Sequence, residues 1–224
     1  MELLIVHRPQ VLLCRKNYRA AKRTFDLGLT LLALPLVLIV MLLCAVAIAV
    51  DSPGPILFVQ DRVGKGGRRF KLYKFRTMHH NLDTSSHRSF MKAFVNGRVN
   101  GSNGAKTVYK PFSEQHVTRV GRILRKTSLD EIPQLINVIR GEMSLVGPRP
   151  NVLWEVEEYM GWHKERLEVL PGITGLAQIK GRSANTFDQI VRYDIDYIEN
   201  RSFKLDLRIL WWTVLSVLGG QGAL

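Results

Sequence analysis

Two adjacent carboxylates, Asp130 and Glu131, follow the cations Arg122, Arg125 and Lys126 and precede a stiff Gly147-Pro148-Arg149-Pro150 turn. A carboxylate in such a setting can attack phosphorus. Neighbouring positive charge is expected to lower its pKa, keep it ionised and neutralise an incoming pyrophosphate. Arg149, held between two prolines, presents a planar fork suited to bidentate phosphate contact. A purely structural reading competes. Ser128-x-x-Glu131 has the form of a capping box opening a helix over residues 127–138, and carboxylates in a first turn are stabilised by the helix dipole. Leu129, Ile132, Ile136 and Ile139 would form the apolar face of that helix, with Asp130, Gln134 and Asn137 on the other side. The local pattern alone favours the cap; the cations narrow the gap without closing it.

The elements that must position these groups follow from periodicity. Residues 56–60 and 70–77 read as two strands joined by a turn at Gly64-Lys65-Gly66-Gly67, which lacks the Gly-Lys-Ser/Thr of a nucleotide P-loop. In the second strand Phe70, Leu72, Lys74 and Arg76 share a face by period two, so Lys74 and Arg76 either face a site or form a solvated edge. Residues 117–126 are helical in pattern, with Arg119, Arg122 and Lys126 on one face. Pro171-Gly172-Ile173-Thr174-Gly175 is a glycine-punctuated turn that either approaches a ligand closely or connects two elements. Residues 79–115 are polar without sustained periodicity and read as a long mobile insertion. Residues 205–218 carry Trp211 and Trp212 on a helix too short to span a bilayer, which favours an interfacial helix over a buried one.

Residues 27–50 contain no charged side chain, and 24 residues of helix suffice to cross a bilayer core of ~30 Å. The run starts too late and is too long for a cleaved signal peptide. Arg15, Lys16, Arg19, Lys22 and Arg23 precede it; Arg62, Lys65, Arg68 and Arg69 follow it. Both flanks look cytoplasmic by the positive-inside rule. A re-entrant hairpin broken at Pro35 satisfies both, and a plain kinked span remains open, since transmembrane helices tolerate proline. The net charge of +13 calls for an anionic partner, whether lipid surface, phosphorylated substrate or nucleic acid. Cys14 and Cys44 do not make a disulfide framework, and a reducing compartment is expected for the part outside the membrane.

Several stretches together resemble one family, the bacterial sugar transferases or monotopic phosphoglycosyl transferases, which prime polysaccharide and glycoconjugate assembly. The resemblance runs from Lys22-Arg23-Thr24-Phe25-Asp26 almost to the C terminus. Its most specific blocks are Lys71-Leu72-Tyr73-Lys74-Phe75-Arg76-Thr77-Met78, the stretch from Leu124 to Leu135, Met143-Ser144-Leu145-Val146-Gly147-Pro148-Arg149-Pro150, and Pro171-Gly172-Ile173-Thr174-Gly175. The resemblance implies transfer of a sugar 1-phosphate from a UDP-sugar to a polyprenyl phosphate such as undecaprenyl phosphate, with Mg²⁺ and release of UMP. By position Asp130 would be the nucleophile and a magnesium ligand, and Glu131 its partner. Arg125 and Arg149 would bind phosphate, Lys74 or Arg76 would assist, and Pro148 and Pro150 would shape the nucleotide-holding loop.

The implied fold is α/β and mainly helical. Residues 1–50 would form a basic segment and the re-entrant membrane helix. Residues 51–224 would form a catalytic domain on the cytoplasmic face of the bacterial inner membrane, with a small β-hairpin and amphipathic interfacial helices. Many members have Ser-Pro at the break, where this chain has Leu34-Pro35. No large domain precedes the membrane element, which suggests a near-minimal version. Membrane lipids are expected partners, nucleic acid is not, and homo-oligomerisation stays open. The rival is a membrane-tethered basic protein binding nucleic acid or acidic lipid, in which Asp130 and Glu131 only cap a helix.

Overall fold

The computed structural model describes residues 16–79, 85–97, 116–180 and 186–219. The architecture is mainly helical, with one long apolar N-terminal helix and two small two-stranded sheets. Helix α1 runs from Lys16–Asp51, and its helical backbone continues through Pro35. It is long and apolar enough to cross a membrane. Leu31, Leu32, Leu36, Leu38, Ile39, Leu42, Leu43, Val46 and Val50 all stand exposed on it. A helix apolar all round and uncovered by protein is matched to lipid rather than to water.

Both ends of α1 are tied to the rest of the chain. Near the start, Arg23 donates to the carbonyls of Val138 and Ile139 (2.5 and 3.0 Å), and Asp26 accepts from the Ser144 hydroxyl at 2.6 Å. Near the end, Cys44 and Ile48 pack with Phe75 and Leu124, and Asp51 accepts from the Val120 amide at 3.1 Å. The first 15 residues, which include Arg15, lie outside the described residues.

Strands β1 (Leu57–Val63) and β2 (Arg69–Phe75) pair antiparallel from Leu57↔Phe75 to Val63↔Arg69. The turn is the one the glycines indicated: Gly66 and Gly67 take φ of 64° and 78°, a region that costs side-chain-bearing residues but not glycine. Helix α2 (Ser85–Val95) corrects the reading of residues 79–115 as lacking periodicity. Phe90, Met91, Phe94 and Val95 repeat at i, i+1, i+4 and i+5, a helical stripe. Val95 is buried with Tyr159, Phe187 and Val191. The remainder of that stretch, 80–84 and 98–115, lies outside the described residues, and so does its expected mobility.

Helix α3 (Arg119–Lys126) ends where the pattern placed it and starts two residues later, where the Thr118 hydroxyl accepts from the Gly121 amide. Beyond it come α4 (Leu135–Arg140), β3 (Ser144–Val146), a short α5 (Leu153–Val156), β4 (Gly172–Thr174), α6 (Leu176–Lys180), α7 (Phe187–Asn200) and α8 (Phe203–Leu218). Strands β3 and β4 pair in parallel, Ser144↔Gly172 and Val146↔Thr174. The main core gathers Phe70, Leu72, Val138, Met143, Val146, Leu176, Tyr197, Ile198 and Ile209. Helix α8 is two-faced: Ile209 is fully buried, whereas Leu207, Trp211, Val214, Leu215 and Leu218 are exposed.

Candidate active site

The carboxylate pair sits on a tight turn rather than at the start of an α-helix. After α3, Ser128 adopts φ 56° and ψ 17°, the one positive-φ residue other than glycine among the described residues. A left-handed serine stores backbone strain of ~1–3 kcal/mol, a cost that persists only when the surroundings enforce it. A 3-10 helix over Leu129–Gln134 follows, with Pro133 inside it, and only then does α4 begin. This corrects the capping-box reading. Ser128 makes no side-chain cap, and the Glu131 carboxylate is engaged elsewhere. Asn137, fully buried, staples α4 to β2 by donating to the Lys71 carbonyl at 2.7 Å and accepting from the Tyr73 amide at 3.3 Å. That staple brings Lys74 to the pair.

Lys74 Nζ lies 2.5 Å from Glu131 Oε1 and 4.0 Å from Asp130 Oδ2. Arg149 Nη1 lies 3.3 Å from Glu131 Oε1. Both carboxylates are buried, at 7% and 8% exposure. Burial pushes Glu131 up, but Lys74 and Arg149 together overcome it and hold its carboxyl at about 2. Asp130 moves the other way. Burial raises it, Glu131 beside it adds to the rise, and Lys74, Arg149 and Arg125 offset this only in part. The expectation that the surrounding cations would lower the pKa therefore holds for Glu131 and is reversed for Asp130. The reason is geometric: Glu131 takes the short contacts with the cations, and Asp130 is left with the desolvation. Asp130 Oδ1 is buried without a hydrogen-bond partner among the described residues. An unpartnered, more basic carboxylate is the better nucleophile of the two, and neighbouring carboxyls driven apart in pKa are how one site separates two roles.

The flanking loop has its own supports. Pro148 and Pro150 are buried while Arg149 is exposed, so the two rings fix the chain on either side of the one residue that faces outward. The Pro148 carbonyl accepts from the Gly172 amide at 2.9 Å, and the Pro150 carbonyl accepts from Arg62 at 3.0 Å. The glycine turn thus approaches protein: a Cβ on Gly172 would run into the backbone of Gly147, and one on Gly175 into the Gly147 carbonyl. Arg62, Leu72, Lys74, Gln134, Arg149 and Pro150 line a cleft here. Arg62 was not singled out from the sequence as a site residue, although it pairs across the hairpin with Phe70 and so stands on the same face as Leu72 and Lys74. That pairing rule could have found it.

Two other candidates lie differently. Arg125 donates from Nε to the Thr77 hydroxyl at 2.9 Å and is close enough to influence Asp130. Arg76 does not accompany Lys74. Strand β2 ends at Phe75, and the buried Arg76 guanidinium donates to the carbonyls of Pro53 and Ser52 and to the Ser52 hydroxyl (2.6, 2.7 and 3.0 Å). It clasps the chain leaving α1. The strand reading of residues 70–77 overran the end of β2 by two residues, and Arg76 is the first of them.

A family model described as bacterial sugar transferase matches residues 17–220. Galactosyl transferase CpsE of Streptococcus agalactiae is 40% identical over 208 residues, 92% of this chain and 44% of that protein. The UDP-glucose:undecaprenyl-phosphate glucose-1-phosphate transferase of Caulobacter vibrioides is 39% identical over 228 residues, 98% of this chain and 78% of that protein. Exopolysaccharide production protein ExoY of Sinorhizobium fredii is 39% identical over 207 residues, 91% of this chain and 88% of that protein. The chain spans under half the length of the streptococcal relative and most of the length of the other two.

Proposed function

This chain belongs to the bacterial sugar transferase family, and from that premise we propose that it is a phosphoglycosyl transferase. It moves a sugar 1-phosphate from a UDP-sugar to a polyprenyl phosphate such as undecaprenyl phosphate and so starts a polysaccharide or glycoconjugate. The observation that carries this reading is Asp130: buried, raised in pKa, unpartnered at Oδ1 and surrounded by Lys74, Arg149 and Arg125. The rival reading as a basic binding protein required the pair to be a helix cap, and neither carboxylate serves as one.

In the first step a carboxylate oxygen of Asp130 attacks the phosphorus that carries the sugar. The bond from that phosphorus to the bridging oxygen breaks, and UMP leaves with the electron pair. In the second step an oxygen of the polyprenyl phosphate attacks the same phosphorus. The aspartyl bond breaks, the carboxylate is restored, and polyprenyl diphosphate sugar is formed. Arg149 binds the diphosphate and holds it in line, a positioning role that suits a transfer in which the protein does little covalent chemistry of its own. Lys74 keeps Glu131 ionised, and the two together hold Asp130 in place.

The residues fit a magnesium ion shared with substrate. Among the described residues no group of three or more His, Cys, Asp or Glu forms a cage, while Asp130 offers one free buried oxygen. One carboxylate completed by phosphate oxygens and water is a usual magnesium site. The ion, when bound, neutralises charge on the diphosphate as it is attacked.

The re-entrant hairpin is part of the same proposal. Residues 26 and 51 would lie ~37 Å apart on a straight helix. A body on one face of the bilayer cannot reach both ends of a spanning helix of that length, yet Asp26 and Asp51 both bond to it. A bend at Pro35 reconciles the contacts, with the body on the cytoplasmic face and the exposed stripe of α8 at the interface. Accessibility tags at the N terminus and in the 79–115 segment are therefore both expected on the cytoplasmic side, and opposite sides would remove the hairpin.

The activity is tested by mixing membranes containing the protein with UDP-sugars and undecaprenyl phosphate. Sustained UMP release over many turnovers is expected to need both substrates and this chain, and none with any UDP-sugar would reject the reading. In that assay Arg149→Ala is expected to lower kcat/KM on the order of 10²-fold, mostly through KM, with membrane association intact. An unchanged rate would remove Arg149 from phosphate binding.

A further inference from the structure

A second concentration of positive charge lies away from the carboxylates. At the start of α1 a cavity is lined by Tyr18, Arg19, Lys22, Arg23, Lys65 and Arg201, with Asp26 and Glu168 as its carboxylates. No residue lines both this cavity and the cleft that holds Lys74 and Arg149. Its charges are not balanced from within. Lys22 is neutralised by Asp26 and Asp206, each at 3.2 Å. Arg23 spends its donors on two carbonyls, which leave its charge in place. Among the described residues no carboxylate pairs with Arg19 or Lys65, and both are exposed. The Lys65 pKa is lowered by the partial loss of solvent at the cavity wall and then by the cations Arg19, Arg201 and Arg68. A second cavity, which shares Lys65 and Leu170 with the first, adds Arg68, Arg69 and Arg140 against the single carboxylate Glu142. Like charges gathered at this density raise the free energy of the folded protein unless an anion sits among them.

The place of the cavity in the fold identifies the anion. Tyr18 to Asp26 form the turns of α1 immediately before the charge-free run, at the depth of the lipid headgroups. Tyr18 and Phe25 both meet Phe203 edge-on, at 5.4 and 6.0 Å, which sets an aromatic cluster at the same level. Aromatic rings favour that boundary. Just beyond, Leu29, Leu31 and Leu32 are exposed, a surface on which acyl chains can lie. We propose that this cavity binds the phosphate headgroup of an anionic phospholipid, with Arg19 and Lys65 as its free cations and the start of α1 as the bed for the acyl chains. The site rests on the membrane reading of α1 and is separate from the transfer site. A bound anionic lipid fixes the hairpin turn of residues 64–68 against α1, which anchors the cytoplasmic body at the membrane at its basic side.

The test uses the full chain in vesicles of phosphatidylcholine doped with phosphatidylglycerol, followed by mild extraction and native mass spectrometry of retained lipid. The wild-type protein is expected to retain phosphatidylglycerol over phosphatidylcholine by about tenfold relative to the bulk mixture. Arg19→Gln with Lys65→Gln is expected to abolish that preference. Arg119→Gln with Arg122→Gln, the same charge change on the exposed face of α3, is expected to keep it. Retained preference in the first double variant, or equal loss in the second, would overturn the site. So would displacement of the lipid by millimolar inorganic phosphate, which would make the occupant a free anion. Flotation with pure phosphatidylcholine vesicles reads insertion separately and is expected to be the same for all three proteins; failure of the wild-type protein to float would reject the membrane reading itself.

Discussion

Asp130→Asn is expected to lower sugar-phosphate transfer by on the order of 10³-fold or more while leaving the protein as stable as before, or slightly more so. The two effects come from one cause. Asparagine keeps the shape of the side chain but cannot attack phosphorus, so turnover is lost. Asp130 is raised in pKa chiefly by burial, so the folded protein binds a proton at this position more tightly than the unfolded chain does. Its ionised form therefore destabilises the fold at pH values above the ordinary aspartate range, and that penalty vanishes as the pH falls below it. Oδ1 has no hydrogen bond among the described residues to lose. Replacing a costly buried charge with a neutral amide should be neutral or favourable, the trade between stability and activity expected where a group is held ready for reaction. Thermal unfolding and UMP release measured on the same preparation check both halves. A variant that loses both together would point to a structural role for Asp130.

Lys74 should behave in the opposite sense. Lys74→Met is expected to lower both stability and activity, because it leaves the Glu131 carboxylate buried without its 2.5 Å partner. Breaking one side of a buried pair costs ~3–5 kcal/mol, more than a pair of this kind contributes in net stability. For a domain of this size that corresponds to a melting temperature lower by roughly 10 °C. The pH dependence has a definite sign. Glu131 is held at about 2, below its ordinary value, so its ionised form stabilises the fold above the ordinary glutamate range. That contribution is lost as the pH falls towards 2. Without Lys74 the carboxyl rises, and the loss sets in at higher pH. Adding Glu131→Gln to Lys74→Met should recover part of the stability, since the Glu131 charge is then no longer left without its lysine, but none of the activity. A double variant as unstable as the single one would mean that Lys74 acts through packing.

Different levels of structure were legible in the sequence to different degrees. The β1–β2 hairpin and its glycine turn, helix α3 and the long apolar helix were readable because each depends on local pattern. The parallel pairing of β3 with β4 was not, since three-residue strands 28 positions apart leave no periodicity to detect. The carboxylate pair was found, but its surroundings were misread in two ways. Ser128-x-x-Glu131 satisfies the pattern of a capping box, yet Pro133 and the left-handed Ser128 impose a 3-10 turn, and Lys74 competes successfully for the glutamate. The direction of the Asp130 shift was also out of reach. Charge counting along the chain treats cations as equally shared, whereas the fold gives the close contacts to Glu131. Arg76 shows the reverse error, a residue beside the right strand but one position past its end. Arg62 was passed over as part of a basic flank, although its carbonyl contact at Pro150 makes it a support of the Arg149 loop.

The most direct test is to incubate the purified protein with a cognate UDP-sugar, omit polyprenyl phosphate and weigh the intact chain. The mass is expected to rise by one sugar phosphate, with UMP released in step, the adduct mapping to the peptide containing Asp130 and lost when undecaprenyl phosphate is added. An adduct that persists in Asp130→Asn, or UMP released only when both substrates are present and with no adduct at any time, would contradict the account.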